Sequence, residues 1–113
     1  MQIIKTLKLK EDGDSIAAYI KAHDNIWPEI RQGILDVGIS RMDIFLHGNL
    51  AVMVMEFPDS LDIDKAMEQL ATLPRQEEWE TFVSQFQECD PNDTSAEKWH
   101  EMKKIFQLNS SII

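Results

Sequence analysis

M-D-I-F-L-H-G-N-L-A-V-M-V-M-E-F, residues 42–57, sets two apolar runs on either side of His47-Gly48-Asn49. Strand-like runs joined by a Gly-Asn pair read as a β-hairpin, because glycine supplies the positive φ that a tight turn between twisted strands needs. Pro58 ends the second run, since proline has no N–H to give to a ladder. Upstream, Ile30, Ile34 and Val37 follow at spacings of four and three. That is a helix entered at Pro28, where a missing N–H costs nothing, and stopped at Gly38.

Ile16, Tyr19, Ile20 and His23 predict an earlier helix, capped by Asp14 or Ser15 after the turn E-D-G-D. Alternation of Ile3, Lys5, Leu7 and Leu9 predicts a first strand over 2–9. Downstream, Ile63, Ala66, Met67 and Leu70 give a helix over 62–71, and Pro74 opens another with Trp79, Phe82, Val83 and Phe86 on one side. D-P-N-D-T-S-A (90–96) reads as a loop and W-H-E-M-K-K-I-F-Q-L (99–108) as a last strand. The order strand, helix, strand, strand, helix, strand is the ferredoxin-like plan: α+β, an antiparallel sheet with helices on one face. Ile44, Leu46, Val52 and Val54 are assigned to the other face, which implies a homodimer packed sheet on sheet.

At 113 residues, the chain has the length of one domain, taken as 1–113. The composition, 43% hydrophobic and 27% charged, is that of a globular protein. A net charge of −9 argues against nucleic acid and against an anionic membrane surface. No apolar run approaches the roughly 20 residues of a membrane span. The single cysteine, Cys89, excludes an internal disulfide framework; with no secretory pattern at the N-terminus, a cytoplasmic location is expected.

A-Y-I-K-A-H-D-N-I-W-P-E-I, residues 18–30, concentrates the chemistry. Tyr19 and His23 are four apart, so on a helix their tips converge on one small object. Phenol and imidazole together supply donors, acceptors and a group that titrates near neutrality, which suits acid–base work on a hydroxyl-rich ligand. The same spacing is also that of core packing, with Tyr19 and Trp27 buried and His23 satisfied internally. In E-E-W-E, Glu78 and Trp79 are pocket candidates, whereas Glu77 and Glu80 are assigned to a solvated face. Glu56, at the end of an apolar strand beside Val52 and Val54, is either a wet strand end or a functional acid. His47 belongs to the turn, and no histidine or cysteine spacing matches a metal site.

Y-x-x-x-H-x-x-I-W-P-E, followed by G-I-S-R-M-D-I-F-L, G-N-L-A-V-M-V-M-E, Q-E-E-W-E and K-W-H-E-M-K-K-I-F-Q-L, resembles the L-rhamnose mutarotase family across residues 2–108. The resemblance implies a cofactor-free isomerase that interconverts the anomers of a 6-deoxy-L-hexose, on a dimeric α+β barrel of ferredoxin-like protomers. It places the family's acid–base histidine on His23 and its sugar-contacting tyrosine on Tyr19. Trp79 matches the second of two adjacent family tryptophans, while Glu78 replaces the first and Met42 replaces a pocket tyrosine. Those departures touch substrate contacts and leave the histidine, so L-fucose stands beside L-rhamnose as the expected sugar. Glu56 is a candidate second acid–base group. A sugar-binding sensor without chemistry and a monooxygenase of the same fold are the competing readings.

Overall fold

The computed structural model describes residues 1–108, and its sheet grows from the hairpin. Strands β2 (Arg41–His47) and β3 (Leu50–Glu56) pair antiparallel, with Met42 opposite Met55, Ile44 opposite Met53 and Leu46 opposite Ala51. Gly48 turns the chain at φ 60°, the glycine-first geometry of a two-residue hairpin. Strand β1 (Gln2–Lys8) pairs antiparallel with the other side of β3, and the short β4 (His100–Glu101) pairs with β1. The sheet order β2-β3-β1-β4 is that of the ferredoxin-like α+β plan.

Helices cover one face. Asp12, two residues before the expected cap, accepts from Ser15 N and opens α1 (Gly13–Asp24); a cap needs extended backbone, which Asp12 has. Helix α2 (Pro28–Asp36) starts at its proline, α3 (Ile63–Leu70) is capped by Asp62, and α4 (Gln76–Ser84) begins two residues after Pro74. The delay at α4 comes from Arg75, which sits at φ 65° and turns the chain before the helix. The segment expected to be a loop, 90–96, runs into α5 (Ser95–Lys98), which a reciprocal capping box between Thr94 and Glu97 opens.

The expected last strand is reduced to His100–Glu101; residues 102–108 run on without regular structure, and Ile105, Phe106 and Leu108 are exposed. The hairpin register also moves two residues from where the sequence put them. Ile44 and Leu46 face the helices with Met53 and Ala51, while Val52 and Val54 share the open face with Ile4, Phe45 and Glu56. Side chains alternate along a strand, so a position's face follows from its cross-strand partner and not from its own polarity.

Two apolar clusters hold the layers together. One lies between sheet and helices around Ile39, Ala51, Met53, Met55 and Leu70; the other joins α1, α2 and α4 through Leu9, Tyr19, Ile30, Trp79 and Val83. Ile34 and Leu46 pack against both. No helix among the described residues is long and apolar enough to cross a membrane.

Gly38 ends the α2 connection at φ 104°, with Leu61 Cδ1 3.1 Å from where a Cβ would stand. Gly38→Ala is expected to lose about 1–2 kcal/mol, the cost of a side chain in left-handed backbone. Gly13, at the first turn of α1 with open space around it, is the control: Gly13→Ala is expected to be neutral or slightly stabilising. Urea unfolding of the two variants checks both.

Candidate functional site

Helix α1 buries Tyr19 at 3% exposure and leaves His23, one turn on, half-buried. Their ring centroids are 4.5 Å apart. His23 Nδ1 lies 2.9 Å from the carbonyl oxygen of Tyr19. A carbonyl only accepts, so Nδ1 carries the hydrogen and, in the neutral ring, Nε2 is left with a free lone pair. Trp79 comes in from α4, edge-on to His23 at 5.4 Å between centroids.

These three side chains line a cavity of about 70 Å³ between helices and sheet, with Met42, Glu80 and Gln87 also in its wall. It adjoins a groove of about 760 Å³ along the β2 edge; His23, Ile26, Ile34, Met42 and Ile44 border both. Arg31, Ser40, Arg41 and Asp43 give the groove its polar groups. His23 therefore stands where an enclosed apolar space meets an open polar one. A different depression, about 780 Å³, lies over α3 and α4 and is larger. Its carboxylates include Asp64, Glu68, Glu77 and Glu101, and it contains neither an aromatic ring nor a histidine. An imidazole, whose two nitrogens can give and take a proton, is present at the cavity and absent from this depression.

The site residues expected from sequence divide sharply. Tyr19, His23, Trp79 and Met42 come together at the cavity. Glu78 does not: it points outward from α4, where Arg75 Nη2 donates to its Oε2 at 3.0 Å and holds its carboxyl below the usual range. Glu56 does not either. It lies on the sheet face opposite the helices, cross-strand from Arg41 and Gln2, so within a protomer it cannot reach the cavity. Trp27 is outside the cavity wall as well; it packs edge-on against Trp79 and under the Arg75 guanidinium, 4.0 Å from its ring centroid.

Two groups of the cavity wall, Glu80 and Gln87, and the lysine behind them, Lys98, are not marked by the sequence reading. Glu80, expected in water, reaches the cavity wall, and its Oε2 lies 2.9 Å from Nζ of the buried Lys98. The ammonium is off the hydrogen-bond direction, so this oxygen is ion-paired but accepts no directed bond among the described residues. The signal was present: Gln76, Trp79, Glu80 and Val83 fall at i, i+3, i+4 and i+7, the inward stripe of a helix. Gln87 and Lys98 had no such local mark. Among the described residues, no cluster of three potential metal ligands occurs.

Burial pushes the Tyr19 phenol up to about 12, against the opposing hydrogen bond from Gln87. Tyr19 is the only tyrosine, so its titration can be read alone by ultraviolet absorbance. The folded protein should ionise near 12 and the urea-unfolded chain near ~10. Between those values the native state keeps a proton that the unfolded chain has lost. The contribution is full below ~10 and falls away as pH rises, about 3 kcal/mol in all. A folded-state midpoint near that of the unfolded chain would contradict the burial.

A family model described as L-rhamnose mutarotase matches residues 2–108. An L-fucose mutarotase of Xanthomonas campestris is 32% identical over 108 residues, 94% of this chain and 86% of that protein. An L-rhamnose mutarotase of Enterococcus faecalis is 28% identical over 97 residues, 84% of this chain and 88% of that one. Among solved structures, the L-rhamnose mutarotase of Formosa agariphila superposes with a TM-score of 0.73 at 20% identity, covering 96% of this chain and 99% of that one; at that identity it bears on the fold.

Proposed function

The chain belongs to the L-rhamnose mutarotase family, and from that premise we propose that it acts as a single domain interconverting the α and β anomers of a 6-deoxy-L-hexose, by acid–base catalysis at His23. The observation that carries this is the hydrogen bond from His23 Nδ1 to the Tyr19 carbonyl. It fixes the ring and its tautomer, and so leaves Nε2 as the base at the junction of cavity and groove.

Mutarotation takes a proton from the anomeric hydroxyl and gives one to the ring oxygen. The C1–O5 bond breaks to the open aldehyde, C1 rotates about C1–C2, and O5 closes on the other face. In this proposal His23 Nε2 takes the anomeric proton. The Tyr19 hydroxyl, kept protonated by burial, hydrogen-bonds to the ring oxygen, and the proton held on His23 completes the exchange. Trp79 presents an apolar surface to the sugar's C–H edge. Met42 adds an apolar contact where a hydroxyl would otherwise be solvated. The interior cavity is well below the roughly 300 Å³ of pockets that enclose a ligand fully. A sugar would therefore seat one edge inside and leave its hydroxyls toward Arg31 and Asp43 in the groove. Glu56 and Glu78 have no part in this mechanism; Glu78 pairs with Arg75, which lies over Trp27.

Of the two sugars, L-fucose is the first choice, because the relative of higher identity bears that name. A cytoplasmic setting agrees with Cys89 having no partner cysteine in the chain. Homodimerisation is part of the proposal, since the open sheet face carries Ile4, Val52, Val54 and an exposed Phe45, and the segment after β4 exposes Ile105, Phe106 and Leu108. Exposed apolar area of this kind is a protein–protein surface more often than a solvated one.

Saturation transfer between the anomeric protons, with L-fucose and L-rhamnose in parallel, should show exchange faster than in buffer. His23→Ala should slow it by about 10²–10⁴-fold, the contribution of a positioned acid–base group. Full exchange by His23→Ala would sink the assignment, and sugar binding without faster exchange would favour a sensor. Sedimentation equilibrium should give a dimer for the unsubstituted protein and a monomer for Val54→Lys; a monomer in both cases removes the dimer.

A further inference from the structure

Behind the Tyr19 hydroxyl runs a chain of polar groups that the proposed mechanism leaves unused. Lys98 is 2% exposed, and its Nζ lies 2.8 Å from Gln87 Oε1, 2.9 Å from Glu80 Oε2 and 3.4 Å from the Glu80 carbonyl oxygen. Gln87 is also 2% exposed, and its Nε2 lies 3.4 Å from Tyr19 Oη. The glutamine is held by its backbone surroundings: it bridges to Leu9, while Lys10 N donates to Phe86 O and Glu88 N to Lys8 O, both at 2.9 Å.

The direction of every bond in this chain follows from its far end. An ammonium has three donors and no acceptor. The Gln87 atom facing Lys98 must therefore be the carbonyl oxygen, which also takes the weak Cys89 thiol contact at 3.8 Å. That leaves the amide nitrogen facing Tyr19. An amide nitrogen only donates, so the phenol oxygen accepts, and the phenol's single hydrogen is released for another partner. The cavity that Tyr19 lines is where such a partner would be. Glu80 supplies the counter-charge that a buried ammonium requires.

We propose that Lys98 is a positioning residue: through Gln87 it sets Tyr19 as a hydrogen-bond donor into the cavity, toward an oxygen of the bound sugar. The inference rests on the proposed sugar site for its kinetic consequence alone; the bond order stands on the buried chain itself.

Gln87→Glu is the direct test. The replacement is isosteric, and it gives Lys98 a carboxylate to pair with. Its second oxygen only accepts, so Tyr19 must turn its hydrogen away from the cavity. The tyrosine Fermi doublet in the Raman spectrum distinguishes an accepting phenol from a donating one, and this chain has one tyrosine to read. The doublet should change from acceptor to donor in Gln87→Glu, and anomer exchange should fall tenfold or more in kcat with little change in KM. Lys98→Met should release the Gln87 amide and shift the doublet the same way, whereas Lys98→Arg, which keeps a donors-only cation, should restore both signals. An unchanged doublet in Gln87→Glu overturns the proposal, as does wild-type kcat in a Gln87→Glu protein whose doublet has changed. Absence of exchange in the unsubstituted protein would count against the mutarotase activity and not against the bond order, which the doublet reads without substrate.

Discussion

The pleat of β3 is the constraint from which the rest of the site follows. Ala51, Met53 and Met55 face the helices; Leu50, Val52, Val54 and Glu56 face the other way. A slip of one residue would exchange these two sets. Because β2 is paired in register, Met42 and Ile44 are delivered to the cavity wall and Glu56 is removed from it. The helices then complete the wall from above, with Tyr19 and His23 from one and Trp79 and Glu80 from another. The choice between a carboxylate at 56 and one at 80 is thus made by strand alternation and helix phase, not by the chemistry of glutamate.

Polarity inside the cavity is graded. The His23 end meets a groove open to water, while the Tyr19 end backs onto a buried ammonium, an amide and a carboxylate. Burying an ion pair rarely stabilises a fold on balance, because desolvation offsets the attraction. Such a pair is better understood as fixing orientations that a mobile amide and a rotating hydroxyl would otherwise lack. Arg75 does comparable work outside, where it turns the chain into α4 and lies over Trp27, which in turn holds Trp79 at its edge.

What the sequence made legible was local. The hairpin, the first strand, the Tyr19–His23 spacing and the proline entry to α2 all depend on residues within a turn or two of one another. The order of these elements already spells the ferredoxin-like plan, and the family resemblance over residues 2–108 agrees with it. Glu78 and Glu80 both neighbour Trp79, and only helix phase separates them: Glu80 lies on the inward stripe with Gln76 and Val83, and Glu78 does not. Ile44 and Leu46 were misplaced because an apolar strand has no polarity contrast to mark its faces. Helix α5 had its signal in T-S-A-E, a capping box read as loop. Lys98, Gln87 and Tyr19 meet only after chain segments up to 79 positions apart are brought together (98 − 19 = 79), and no periodicity announces that.

The central claim is that a sugar sits at His23, where groove and cavity meet, with one edge against Tyr19 and Trp79 in the cavity. An anhydro analogue of L-fucose, which lacks the anomeric hydroxyl and cannot open, would occupy the site without turning over. Titrating it while recording the imidazole, indole and tyrosine-ring NMR signals tests the claim directly. Saturable shifts of His23, Trp79 and Tyr19, with His47 and His100 unmoved, are the predicted result. Shifts confined to the acidic depression around Asp64, Glu68 and Glu101, with His23 and Trp79 unmoved, would contradict it.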